Sequence, residues 1–225
     1  MPSLTQLLAS HGRLLLFDAA SQRVQVGLLQ PDAPAVWHGT AQEACTGLFA
    51  GADIALKTAG LGLSDFDAFV FCEGPGSMLG TRTIAMALRT WLVLKPRPVY
   101  AYQSLAIAGQ FAWNRNPGKS FSVIADARRD TWHVQSVGTN GRMSPLQRVP
   151  AAGLPPGELL TPERFRTWAQ PPRPIATTSY DLAGILPTLA EVNFFHAVDA
   201  PDAYQHEAPE YKKWSAQIHR APPAH

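Results

Sequence analysis

Cysteine is scarce in this chain: Cys45 and Cys72 are the only two in 225 residues. They form no CxxC and share no metal-ligand spacing with histidine. That excludes a disulfide framework and a zinc knuckle, and predicts two reduced thiols in a cytoplasmic protein. Charge is also sparse, at 16% of residues, and unbiased, with 19 Lys+Arg against 17 Asp+Glu. Such a balance leaves no broad field for nucleic acid or an anionic membrane. No apolar run approaches the roughly 20 residues a bilayer span needs. The opening residues lack the basic start and apolar core of a secretory signal. Of the seven histidines, no two stand four apart. The HxxxH pair that would place two imidazoles on one helix face for a metal is therefore missing, and no metal site is expected. No GxSxG nucleophile elbow occurs either.

What is present is apolar: 46% of the residues are hydrophobic, enough for one large domain or two small ones. Residues 13–17 form an apolar run ending at Asp18. Residues 23–29 alternate as a half-buried strand does, and 35–37 follow as a third strand after a proline turn, so an antiparallel meander is expected. From 40 to 59 the spacing becomes helical, with Leu48, Phe49, Ala52, Leu56 and Ala59 on one stripe. Residues 66–72 are apolar on both faces, as a central strand is. A short strand at 99–101 and a Ser-capped helix at 104–113 follow. The polar loop 114–119 marks a boundary between an N-terminal lobe, 1–113, and a smaller C-terminal lobe, 114–225, whose tail is expected to pack back on the first. In the second lobe, 121–126 and 131–137 suggest a hairpin with a charged turn, and Thr139-Asn140-Gly141 another turn. Thr161-Pro162-Glu163 predicts a helix start. A strand at 174–177, a helix at 181–190 and a strand at 193–198 complete the pattern.

The richest stretch is Glu73-Gly74-Pro75-Gly76-Ser77-Met78-Leu79-Gly80-Thr81-Arg82, a glycine turn between the central strand and a helix over 77–94. Gly74 and Gly76 reach angles closed to other residues, Pro75 fixes one angle, and Ser77 can cap the helix. Backbone N–H groups at such a turn can cradle an anion, or the turn can be a rigid elbow; both readings stand on sequence alone. The helix that follows is apolar nearly all round, interrupted only by Arg82 and Arg89. One side can face a sheet, and the other calls for a second surface.

The order strand-Asp18, meander, helix, strand-GPGS-helix, then Ala125-Asp126-Ala127-Arg128-Arg129, resembles the TsaB family of bacterial tRNA threonylcarbamoyladenosine biosynthesis proteins. Pro209-Glu210-Tyr211 matches that family's Pro-x-Tyr tail. The chain departs from the pattern at Met78, Leu79, Thr81 and Ile84 and at Ala44-Cys45-Thr46, and it lacks the Gly-x-Gly expected near Thr177-Thr178-Ser179. The resemblance is thus to a divergent member. It implies an α/β fold of two lobes, actin-like or sugar-kinase-like, with ribonuclease-H-like mixed sheets and helices on their faces. It also implies a non-catalytic partner subunit, a pseudo-enzyme scaffold, for a TsaD-like catalytic subunit. Docking would run through the helices at 40–59 and 77–94, with Leu48, Phe49, Ala52, Leu56, Ala85, Leu88, Arg89 and Leu92 at the interface. A homodimer through the same helices is expected when the partner is absent. Contact with tRNA would be only indirect, and membrane contact none.

Asp18 and Asp126 stand where the superfamily places phosphate- or metal-facing carboxylates, and Gly74, Pro75, Gly76, Ser77, Gly80 and Arg82 form a phosphate-loop-like turn. Ala19-Ala20-Ser21 after Asp18 lacks glycine, and Ala127-Arg128-Arg129 after Asp126 is bulky. Neither stretch suits backbone approach to a triphosphate. No cofactor is expected on this chain, with ATP and Mg confined to the partner's site and no efficient ATP hydrolysis. The competing reading is a stand-alone small-molecule kinase or acyl-phosphate enzyme of the same superfamily. Arg82 suits either an anionic group of a partner or an internal salt bridge to Glu73 or Asp18.

Overall fold

The computed structural model describes residues 1–171 and 173–206. The Pro209-Glu210-Tyr211 motif and the rest of the tail lie outside the described residues.

Five strands build a first sheet in the order β3-β2-β1-β4-β5, with a sixth, β11, on its edge. These are β1 (Leu14–Asp18), β2 (Val24–Leu29), β3 (Val36–Thr40), β4 (Ala68–Gly74), β5 (Val99–Gln103) and β11 (His196–Ala197). A second sheet repeats the plan as β8-β7-β6-β9-β10: β6 (Phe121–Asp126), β7 (Thr131–Val137), β8 (Gln147–Pro150), β9 (Leu159–Pro162) and β10 (Ala176–Thr178). Each sheet opens with an antiparallel meander and closes with parallel strands. Asp18 ends β1 and Asp126 ends β6, so the two carboxylates hold the same topological place. The expected α/β architecture, mixed sheets with helices on their faces, is the one observed. Among the described residues no helix is long and apolar enough to cross a membrane.

Strand alternation sorts the core. Leu15, Phe17, Phe69 and Phe71 point to one face, where α2 (Ala44–Ala59) and α3 (Met78–Leu94) cover them. Leu14, Leu16, Val70 and Cys72 point to the other, where α1 (Leu4–His11), α4 (Ser104–Arg115), α5 (Leu182–Ile185) and the second sheet meet them. Because both faces are covered, β2 is buried at every residue, Gln25 included, rather than half-buried as its alternation predicts.

Other local expectations shift for identifiable reasons. Residues 4–11, unassigned from sequence, form α1, whose Ser3 and Gln6 make a reciprocal capping box. Ser104 does not cap α4; its hydroxyl donates to the Pro75 carbonyl at 2.5 Å, tying that helix to the glycine turn. Thr161-Pro162 does not start a helix, because both residues pair in parallel with β10. The helix at 181–190 is only α5 plus a 3₁₀ turn over Leu186–Leu189, since Pro187 has no N–H to continue an α-helix. The stretch beyond β11 returns across the first lobe: the Tyr204 N–H donates to the Glu73 carbonyl at 2.7 Å, and Asp202 pairs with Arg89 at 3.1 Å.

Candidate functional site

The glycine turn and the loop after Asp18 are built against each other. A side chain at Gly76 would run into the Ala20 carbonyl, and one at Gly80 into the Ala19 carbonyl. Gly76 has φ +150°, and Gly74 has φ +116°. The Ser77 N–H donates to the Ala20 carbonyl at 2.7 Å, and the Ser77 hydroxyl caps the Gly80 N–H at 3.2 Å. The helix start is joined directly to the first loop. Of the two readings of this turn, the geometry supports the rigid elbow.

Asp18 is fully buried. One carboxylate oxygen accepts the hydroxyls of both Tyr102 and Tyr180 at 2.7 Å, and the other accepts the Ala20 N–H at 2.9 Å. Burial pushes the carboxyl above its ordinary pKa, while the Tyr102, Tyr180 and Ala20 donors pull it down. Burial together with the Asp18 charge drives both phenols and the Cys72 thiol well above their usual values, so they stay protonated as donors. Tyr102 ends up here from β5 and Tyr180 from the segment after β10. Gln25 secures that segment, donating to the Tyr180 carbonyl at 3.1 Å and accepting the Leu182 N–H at 2.9 Å. The carboxylate that the resemblance aims at phosphate or metal is therefore closed off from solvent, with both oxygens engaged by protein donors. Its surroundings do not fit a magnesium–nucleotide.

Asp126 is also occupied. It accepts the N–H groups of Arg128 at 2.6 Å, Trp168 at 2.6 Å and Ala169 at 2.8 Å, folding the loop around residue 168 over the end of β6. Arg128, Arg129 and Asp130 all take left-handed angles in the hairpin turn, and the Arg128 guanidinium sits 4.1 Å above the Trp168 ring. A cleft of about 500 Å³ remains between the lobes, lined by Ser21, Ser77, Asp126, Arg128 and Trp168 among others. His133 borders it. Burial, with Arg148 and His206 nearby, lowers its imidazole from 6.5 to about 4 against the opposing pull of Asp126. A folded-state pKa below the unfolded one means the unfolded chain binds the extra proton. Stability from this group is complete above about pH 6.5 and is lost as pH falls toward 4. His133→Gln should flatten the acid limb of a urea-denaturation series over that interval, leaving the neutral limb parallel to wild type.

The outer faces of α2 and α3 form the other distinctive feature. Met78, Leu79, Met86, Val93 and Leu94 on α3, and Phe49 and Ile54 on α2, are all exposed, Leu79 at 75% and Val93 at 84%. Phe49 leans edge-on against Trp91 with ring centroids 5.9 Å apart, joining the two helices into one apolar surface. This corrects the interface assignment made from sequence. Leu48, Ala52, Ala85 and Leu88 are buried within the chain, α2 packing on β2 and β3 and α3 on β4 and β1, and Leu56 and Leu92 are half-buried. Arg89 is occupied by Pro201 and Asp202. Of the eight residues only Phe49 presents substantial apolar surface. The stripe assigned by spacing was the inward one, since the best-patterned apolar positions are those that meet the sheet. Arg82 is exposed and makes no internal salt bridge among the described residues; Glu73 instead pairs with His196 at 3.2 Å.

Comparison with solved structures places this architecture. An uncharacterized protein with similarity to peptidase YeaZ, from Pseudomonas aeruginosa, aligns at TM-score 0.61 and 24% identity, covering 80% of this chain and 90% of that one. YeaZ from the same organism gives the same values. The chain has the YeaZ fold. A Ppx/GppA enzyme from Aquifex aeolicus aligns at TM-score 0.40 and 10% identity over 68% of each chain. No family model and no curated protein matches the sequence.

Within the YeaZ fold, two features escaped the sequence reading. Tyr102 and Tyr180 gave no signal, being far apart in sequence and ordinary in context. Trp168 lies in a proline-rich stretch without periodicity. Their partners Asp18 and Asp126, each at the end of its strand, were marked.

Proposed function

We propose that this chain is a non-catalytic, TsaB-like partner subunit that supports a TsaD-like enzyme in tRNA threonylcarbamoyladenosine modification in the cytoplasm. The carrying observation is the bare apolar face of α2 and α3, backed by a rigid core. Water-exposed Leu, Met, Val and Phe side chains clustered on two adjoining helices mark a docking surface. The motif resemblance supplies the partner's identity, and the shared fold with YeaZ is compatible with it. The burial of Asp18 with both oxygens engaged, and the N–H groups on Asp126, support a scaffold role over nucleotide hydrolysis, and contact with tRNA runs through the partner.

Co-purification tests the reading. The full chain should be retained by a tagged TsaD-like subunit from the same organism and elute with it on size exclusion. Alone it should form a concentration-dependent homodimer through the same helices. Purified without its partner, it should show no multiple-turnover ATP hydrolysis. Sustained turnover by the isolated chain would instead support a stand-alone kinase or acyl-phosphate enzyme.

A further inference from the structure

A second cavity, of about 390 Å³, opens at the end of the second sheet away from Asp126. Phe121 and Leu160, near the starts of β6 and β9, floor it; Arg115, the last residue of α4, and Lys119, in the loop that follows, form one wall; Thr177 and Ser179 form the other. It opens beside the end of α4, whose Phe111, Ala112 and Arg115 contribute to its lining, and among the described residues no α-helix stands between β8 and β9 or between β9 and β10. Among the described residues the Arg115, Lys119, Thr177 and Ser179 side chains make no hydrogen bond or ion pair within the protein, whereas that of Asn116 does. None of the ion pairs among the described residues involves Arg115, Lys119 or the facing Glu158. The two cations are not required as helix caps either. Asn116 already covers the last turn of α4, its backbone N–H donating to Trp113 at 2.9 Å and its side chain to Ala112 at 3.5 Å. The Arg115 guanidinium rests 5.8 Å from the Phe111 ring centroid, which holds its stem along the cavity wall.

Two cations against one carboxylate, flanked by hydroxyls over aromatic walls, is donor chemistry suited to an anion that carries a flat apolar part. We propose that this cavity binds a phosphomonoester of mononucleotide size, the phosphate held by Arg115, Lys119 and Ser179 and the ring against Phe111 and Phe121. The site is separate from the interlobe cleft and from the α2–α3 face, and the proposal does not depend on the partner role.

Calorimetric titration of the full chain with AMP or UMP tests it. Saturable binding is expected, with adenosine and inorganic phosphate each at least about tenfold weaker, because each supplies half of the recognition. The double variant Arg115→Ala/Lys119→Ala should lose binding at least about tenfold with an unchanged melting temperature, since both side chains are exposed. Arg128→Ala, in the other cleft, should bind as wild type does. The proposal is overturned if no nucleotide saturates up to about 5 mM, if the double variant binds normally, if Arg128→Ala abolishes binding, or if only an oligoribonucleotide binds.

Discussion

Asp18→Ala is expected to lower the melting temperature by roughly 10 °C, the largest loss from any single polar side chain here. Removing the carboxylate leaves the Tyr102 and Tyr180 hydroxyls buried without an acceptor, each costing about 1–3 kcal/mol. At this chain length about 1 kcal/mol corresponds to roughly 2–4 °C. The interaction is a network, so its members do not add. The triple variant Asp18→Ala/Tyr102→Phe/Tyr180→Phe should therefore be more stable than Asp18→Ala alone, although it removes more atoms. A thermal melt in which the triple variant falls further than the single would show that the hydroxyls are not what Asp18 satisfies. The same network ties β1, β5 and the segment after β10 together, so its loss should loosen the seam between lobes before either sheet melts. Amide exchange at Leu182, held by Gln25, would report that loosening.

The second large effect separates the two sides of α3. Leu88 is fully buried among Phe17, Phe69 and Phe71, whereas Met86, two residues back and so about 200° round the helix, is 58% exposed. Leu88→Glu should prevent folding, because an unpaired carboxylate in that core costs more than about 4 kcal/mol. Met86→Glu should leave the melting temperature within about 2 °C of wild type. It should nonetheless weaken capture by the TsaD-like subunit on the order of 30-fold, the loss typical of an interface hot spot. Size exclusion and calorimetry on both variants distinguish fold from docking. Undiminished complex formation by folded Met86→Glu would remove this face from the interface.

The strand–elbow–helix unit at 68–94 was legible because it is local: a both-faces-apolar strand, two glycines around a proline and a serine cap dictate their own geometry within a few residues. The meander ending in Asp18 and its echo ending in Asp126 were legible for the same reason, since period-two patterning and turn residues act over short spans. The outward side of α3 was not. Apolar residues surround that helix, so composition shows that two surfaces must cover it but not which residues face the sheet. Ile84, Ala87 and Leu88 turn inward only because β1 and β4 present Phe17, Phe69 and Phe71 at that angle.

By itself, then, the sequence determined most of the element order, the glycine turn between strand and helix, and the excess of apolar surface on one helix, all properties of neighbouring residues. Tertiary structure decided that Asp18 is closed off by two tyrosines and which stripe of α3 stays bare. Both outcomes depend on groups brought together from distant parts of the chain, and no local pattern encodes the meeting of Asp18 with Tyr102 and Tyr180.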